Sequence, residues 1–383
     1  MTRVRLLLPL AAACLGFAVP CAADTPLPIT AARFAFPGSV VTPASGTSAG
    51  LALADRWLNE DAAVNPAARP GRGVTIAPQL LRVSRQDLSA ANREFDQVDL
   101  NVDFANAQLS LPVRGYTVSL YVWQPQLRVE NQSFVLGRSG SVGPSGTMQY
   151  DAVTRETRGG IAVAKGEGVR WGAAFEMTSR DDEYQVLETS GSPDAGLRDL
   201  TWTGTAFGGG AGVRWERRPL ERGGLVIGAG LHVQAPLSVS GTESAELTSG
   251  DSRRDFDAER GSTWEGGASA RWTLSPESGV YASGTQRSAE KWDAFGVTAG
   301  AGQSWAAGID YRDPETVWGG SIGLGLDVQP GTPEPRAKSI GVGISYHSGE
   351  TIVDLGVLHR AIARTGLPTI SDDRVVASVR VAF

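Results

Sequence analysis

Gly46-Thr47-Ser48-Ala49-Gly50 fits the G-x-S-x-G pattern of a hydrolase nucleophile elbow. That pattern does chemistry only when a strand precedes it, a helix follows it, and a histidine and an acid meet the serine on a parallel α/β sheet. A short helical pattern, Leu51 to Leu58, does follow, but nothing downstream alternates strands with helices. In a chain rich in Gly, Ser and Ala such a five-residue match arises by chance, and Ser48 is read as structural. The three histidines, His232, His347 and His359, lie far apart with no metal-ligand spacing such as H-E-x-x-H. His232 and His347 sit on polar faces and are expected to be solvated. Asp181-Asp182 are adjacent acids in a polar stretch for which no partner can be placed. Gly208-Gly209-Gly210-Ala211-Gly212 lacks the Lys-Ser/Thr of a phosphate loop and runs into Val213 and Trp215 as a strand, where Gly marks a bend or a close backbone approach. The expectation is no catalytic residue, no metal and no cofactor.

The elements around these residues explain why. Arg3 and Arg5 precede an almost uncharged apolar run from Leu6 to Val19, and Cys21-Ala22-Ala23 offers small residues for cleavage before Asp24. This is the layout of a signal peptide over residues 1–23, too short to span a bilayer as a helix. Neither Cys14 nor Cys21 has Leu at −3 together with Ala or Gly at −1, which disfavours lipid attachment there. Cleavage would remove both cysteines, so no disulfide is expected. It would also lower Lys+Arg from 35 to 33 against 41 Asp+Glu, a net charge of −8 that argues against a nucleic-acid partner. Gly is unusually frequent, 48 of 383 residues, without a collagen period, and no later stretch is apolar for 18 residues.

Residues 24–72 are interrupted by Pro26, Pro28, Pro37, Pro43, Pro66 and Pro70 and read as an irregular segment with one helix, Leu51 to Leu58. From residue 73 the period is two. Leu225, Ile227, Ala229, Leu231 and Val233 alternate with Val226, Gly228, Gly230, His232 and Gln234; similar alternation runs through Trp305–Arg312, Ile322–Val328 and Ile340–His347. Long alternation is the signal of a half-buried strand. Strands of about 10 to 16 residues exceed the globular average and match tilted membrane strands. Short connections at Pro112–Gly115, Lys165–Gly168, Glu216–Gly224, Ser275–Gly279, Arg312–Thr316 and His347–Glu350 alternate with longer polar ones at Arg85–Glu94, Asn131–Gly146, Asp181–Asp199, Gly241–Gly261, Arg287–Ala294, Gln329–Ala337 and Ala361–Asp373. Thirteen connections imply about 14 strands, both termini on the periplasmic side, and an all-β transmembrane antiparallel barrel over residues 73–383. Val375, Ala377, Val379, Val381 and Phe383 share one face of the last strand, and a terminal aromatic there is the kind of signal that outer-membrane assembly machinery reads. Inward Gly228, Gly230, Gly323, Gly325, Gly341 and Gly343 leave room for a plug inside the barrel, and Arg214, Glu216, Arg271, Asp310, Asp327, Asp354 and Arg380 suit a wet lumen or ion pairs to that plug.

Gly50-Leu51-Ala52-Leu53-Ala54-Asp55, followed by Asn59-Glu60-Asp61-Ala62-Ala63-Val64-Asn65-Pro66-Ala67, resembles the N-terminal segment of the FadL/TodX-type outer-membrane transporters of hydrophobic compounds. The resemblance implies a 14-strand barrel with an N-terminal plug or hatch over residues 24–72, with Asp61, Asn65, Pro66 and Ala67 as its motif. It also implies an inward kink in the third strand that opens the wall sideways. Here the third strand, about Tyr116–Glu130, contains Trp123-Gln124-Pro125, and Pro125 cannot donate to the ladder. Trp123 and Pro125 are the expected lateral gate, with the Trp123 indole at the membrane interface; the alternative is a Pro tolerated at a bulge or strand end. The sequence departs from the family where Ala68, Arg69 and Pro70 follow Asn-Pro-Ala, and several loops are compact.

The reading is a bacterial outer-membrane channel for passive uptake of hydrophobic or amphipathic small molecules. Its partners are outer-membrane lipid, the barrel assembly machinery acting on Phe383, and a hydrophobic solute. The rival is a structural or secretion-associated barrel that anchors a partner protein; a hydrolase at the barrel rim is a third, weaker option. Intact-mass analysis of the protein from outer membranes is expected to give a chain starting at Asp24, and a lipid-modified Cys14 or Cys21 at its N-terminus would overturn the leader reading.

Overall fold

The computed structural model describes residues 42–68, 72–85, 98–137, 144–190, 195–217, 222–293, 297–299, 301–312, 317–328, 335–364 and 367–383. The leader and the first part of the expected plug lie outside the described residues. Alternating sequence forms β1 (Gly73–Arg85), β2 (Val98–Val113), β3 (Tyr116–Gly137), β4 (Pro144–Lys165), β5 (Val169–Ser190) and β6 (Gly196–Arg217). Four strands follow that are each broken once: β7 (Leu225–Gln234, Leu237–Leu247), β8 (Gly250–Arg260, Thr263–Ser275), β9 (Ser278–Arg287, Glu290–Trp292) and β10 (Val297–Ala299, Gly302–Arg312). Then come β11 (Trp318–Val328), β12 (Pro335–Ser348), β13 (Thr351–Arg364) and β14 (Leu367–Ala382). Eighteen segments thus make fourteen strands. Each pairs antiparallel with its sequence neighbours, and β14 closes on β1 from Gly73↔Ala382 to Arg85↔Ile370, so the sheet closes into a barrel.

The polarity of the wall is inverted relative to a soluble protein. On β5, Trp171, Phe175 and Met177 point outward with half or more of their surface exposed, whereas Glu176, Thr178 and Arg180 point inward and are buried. The same holds around the circumference: Leu120, Ile161, Phe207, Leu231, Trp272, Ile309, Leu324, Val342 and Val357 are outward and exposed. An apolar exterior is matched to hydrocarbon rather than to water. Trp171, Trp272, Tyr311, Trp318 and Phe383 stand on the end that carries the short turns. Phe207, Trp264 and Trp305 stand toward the other end, called here the crown, so aromatic residues flank the apolar zone on both sides.

Several stretches expected as loops are strand. Ladders continue through Asn131–Gly137 and through Asp181–Ser190. The expected loop Gly241–Gly261 is a hairpin that turns at Thr248-Ser249. These strands project beyond the apolar zone, and on β5 the outward face there is polar, with Glu183 and Gln185 exposed, while Tyr184 and Val186 point inward and are buried. The apolar-outward pattern ends there although the ladder persists.

Residues 42–68 lie inside the barrel, almost all of them buried. The helix expected over Leu51–Leu58 is replaced by a five-residue helix α1 (Gly46–Gly50) and a run of turns. Ser45 caps α1, accepting from Ser48 N, and Ala52 and Leu53 then take left-handed backbone conformations that end it. The wall overrides local helix propensity by supplying partners to the freed backbone. Ser269 Oγ accepts from Trp57 N at 3.1 Å, Ser283 Oγ donates to Leu53 O at 3.1 Å, and an Arg214 N–H donates to Leu58 O at 2.6 Å.

Inward glycine makes this fit possible. A Cβ at Gly323 would strike the backbone of Leu51, and one at Gly228 the backbone of Trp57. Gly323→Val is therefore expected to expel the segment while leaving the barrel intact. Limited proteolysis in detergent reads this as new cleavage within residues 42–68 with unchanged heat-modifiable mobility; a protected segment would show that the wall yields instead.

Candidate functional site

The motif residues fold the inner segment and fasten it to the wall. Asp61 Oδ1 accepts from Asn106 Nδ2 of β2 at 2.8 Å, and its backbone O accepts from Val64 N and Asn65 N. Asn65 Oδ1 accepts from Ala67 N at 3.0 Å while its amide donates to Trp57 O at 2.6 Å, closing the chain back on itself. Pro66 rests against Gly172 and Gly210, where side chains would collide, and the next residues are held by Arg170 Nε donating to Ala68 O at 3.0 Å. Arg56 pairs with Glu265 at 2.5 Å, and Glu60 with Arg380.

Ser48 belongs to this packing. It donates to Asp55 Oδ1 at 2.8 Å and accepts from Asn59 Nδ2 at 2.7 Å, with no histidine among these partners. His232, expected to be solvated, is buried instead. One ring nitrogen lies 2.8 Å from Val64 O and the other 3.1 Å from Glu176 Oε1, which also accepts from Tyr121 OH at 2.7 Å. A carbonyl only accepts, so Nε2 carries a hydrogen and His232 ties β7 to the inner segment. Asp182 is likewise no loop acid, being buried against Arg180 at 2.7 Å.

The wall parts between β2 and β3. Among the described residues their ladder runs only from Val113↔Tyr116 to Asn106↔Trp123. Beyond Trp123, β3 pairs with β4 alone, as far as Gly137↔Pro144, and β2 pairs with β1 alone, as far as Ser84↔Val98. Both edges are irregular at that level: β3 shifts register between Trp123 and Gln126, and β2 carries the extra residue Ala105 where Ala77↔Asn106 gives way to Pro78↔Phe104. Pro125 brings no N–H, and its carbonyl accepts from Thr42 N at 2.9 Å. Trp123 does not stand at the membrane interface as expected. Its position continues the inward series of Tyr121, and the indole is buried with Ala44, Ala62, Ala63 and Val64, beneath the Arg158 guanidinium.

Behind Pro125 a small, partly open cavity of about 50 Å³ lies between the inner segment and the crown. Its lining is polar: Gln126, Glu156, Arg158, Gln234, Arg260 and Glu290 face it, with His232 toward the inner segment. Glu156 bridges Arg158 at 2.8 Å and Arg260 at 3.4 Å, and Arg260 donates to Gln234 Oε1 at 2.7 Å. Arg180 joins Asp182 to Glu290 at 3.1 Å and lies over the Trp292 ring, which meets Trp202, itself stacked on Tyr184 at 5.0 Å. Among the described residues, this layer of ion pairs and aromatic rings lies across the crown end of the lumen. Burial pushes the Glu290 carboxyl up, but Arg180 and Arg260 outweigh it and hold it below its ordinary value.

Neither a family model nor a curated relative matches the chain. Solved structures do. A CymD monoaromatic hydrocarbon channel is similar at 12% identity and TM-score 0.60, over 90% of this chain and 99% of that one. A Pseudomonas aeruginosa FadL homologue is similar at 14% identity and TM-score 0.61, over 90% and 99%. The Ralstonia pickettii toluene transporter TbuX is similar at 12% and 0.58, over 88% and 98%. At these identities the likeness is one of architecture: the chain has the fold of the FadL/TodX-type channels, a closed barrel of fourteen antiparallel strands.

Proposed function

We propose that the protein is a passive outer-membrane channel for hydrophobic or amphipathic small molecules, and that the solute leaves through the wall between β2 and β3. The observation that carries this reading is the end of the β2–β3 ladder at Asn106↔Trp123. Unpaired backbone facing lipid costs several kcal/mol per group, and this break begins at the crown-side margin of the apolar zone, next to the outward Val122. Residues 42–68 act as the plug, blocking the axial route. An apolar solute entering water would lose about 25 cal/mol for each Å² of apolar surface exposed, and a sideways step into the bilayer avoids that loss. Pro125 marks the exit, and Trp123, packed on the plug, fixes the inner margin. The charged cavity behind Pro125 favours a solute with a polar head over a bare hydrocarbon. The three neighbours above, described as a hydrocarbon channel, a FadL homologue and a toluene transporter, support the class of solute in general terms. The leader over residues 1–23 delivers the chain, Phe383 presents the assembly signal, and the apolar exterior takes outer-membrane lipid.

Cysteines at Ala105 and Gln124, the next positions past the last ladder pair, join the two edges when oxidised. Uptake of a labelled long-chain fatty acid or aromatic hydrocarbon is expected to fall on oxidation and recover on reduction; uptake indifferent to the cross-link would remove the lateral route.

The second reading, a barrel that anchors a partner rather than conducting, is favoured by the layer of ion pairs and rings at the crown. The two readings differ in whether that layer opens. Because the Glu290 carboxyl is held low, its pairing with Arg180 is complete above the ordinary carboxylate range and is lost as pH falls through its lowered value. Single-channel conductance in planar bilayers is therefore expected to appear or rise at strongly acid pH, and in Glu290→Gln, which lacks this carboxylate at every pH, to be present already at neutral pH. A barrel silent at every pH, in both forms, would favour the anchor.

A further inference from the structure

Where the β2–β3 ladder stops, side chains span the seam. Asp103 of β2 is gripped from two strands: its Oδ2 accepts from Gln124 Nε2 of β3 at 3.0 Å and from Arg155 Nε of β4 at 3.1 Å. Its other oxygen accepts from Phe104 N at 2.9 Å, which fixes the carboxylate in place. Gln124 is held from the opposite side as well, since its Oε1 accepts from Gln79 Nε2 of β1 at 2.7 Å. Gln79 Nε2 also reaches Phe104 O at 3.2 Å, so β1, β2 and β3 meet in one polar knot. Gln124 and Gln79 are buried, while the Arg155 side chain is nearly half exposed on the outer side.

We propose that Asp103 is the latch of this seam, a positioning residue whose carboxylate holds β3 and β4 to β2 and whose release lets the wall open from Gln124 toward the crown. The inference rests on the lateral-exit reading above for its role in transport, but not for its geometry. Backbone pairing cannot close this gap, because Pro125 has no N–H and the neighbouring ladders are shifted out of register on both sides. A closure made of side chains parts without breaking any ladder hydrogen bond, so the barrel below Trp123 stays intact while the seam moves. Hydrogen bonds to a carboxylate are stronger than neutral ones, which makes Asp103 the determining member of the knot. Arg155, reached from outside, is the weaker arm, since exposed ion pairs contribute little.

The test uses the whole protein in proteoliposomes, with Gln126→Cys as its only cysteine beyond residue 21. Gln126 faces the cavity behind the seam, so a maleimide confined to the bilayer reaches it only through the parted wall. Asp103→Ala is expected to raise the labelling rate roughly tenfold, equivalent to about 1.4 kcal/mol, with unchanged heat-modifiable mobility. Asp103→Asn keeps an acceptor for Gln124 and is expected to give an intermediate rate. Should Asp103→Ala fail to form a barrel, Arg155→Ala removes one arm only and is expected to raise labelling roughly threefold. Labelling at the parental rate in the folded variants overturns the latch. Faster labelling with unchanged solute flux leaves the latch standing and removes the lateral exit, so the two claims fail separately.

Discussion

Everything in this fold answers to one constraint: a backbone placed among hydrocarbon must satisfy its own N–H and C=O groups. Closure of β14 on β1 answers it for the wall. The inner segment poses the harder case, because α1 is only five residues long and the turns after it leave many groups unpaired. The barrel answers with inward side chains, Ser269, Gln108, Arg170, Arg214, Ser283 and Ser378, each bonded to a backbone group of residues 42–68. The polar interior is thus a set of partners specified for one irregular chain. The inward glycines follow from the same need, since bonds of this kind form only when the two backbones come close.

That division of labour explains where the wall is allowed to part. Below Trp123 the ladder is complete and the inner segment is packed against it through Tyr121, Trp123 and Ala162. Above it, Pro125 removes a donor and Thr42 N takes up its carbonyl, so the cost of an unpaired edge is met from inside. The same short stretch therefore lines the cavity, holds Thr42 of the enclosed segment and forms one margin of the seam. A solute that disturbs any one of these meets all three.

The architecture was legible in the sequence because alternation is a direct image of a wall with two different solvents. Residues 225–234 read correctly face by face, and the strands at the short-turn end stop and restart where short connections were expected. The errors share a physical origin. Past the apolar zone the outward face turns polar while rings such as Tyr184 and Trp202 point inward, so Asp181–Ser190 and Gly241–Gly261 lack the apolar-outward period and read as loops. Leu51–Leu58 read as helix because local propensity carries no information about wall groups some two hundred residues away in sequence. Trp123 was placed outward by its chemistry, although the inward series of Tyr121 already fixed its side. The knot of Gln79, Asp103, Gln124 and Arg155 left only a faint mark: polar Gln124 beside Pro125 in a strand otherwise alternating cleanly.

The charged cavity sharpens what such a barrel can select. Buried ion pairs carry a desolvation cost that packing with apolar side chains would avoid, so they add little to stability. A lumen built only to bind aromatic hydrocarbon would have no reason to bear that cost. Glu156 between Arg158 and Arg260, and Glu290 between Arg180 and Arg260, instead form a connected layer directly behind Pro125. On the proposed reading, a solute with a polar head would exchange its water for these groups while its apolar part faces the seam. Selection would then lie in the lining, passage in the break of the ladder, and the two are adjacent because β3 contributes to both.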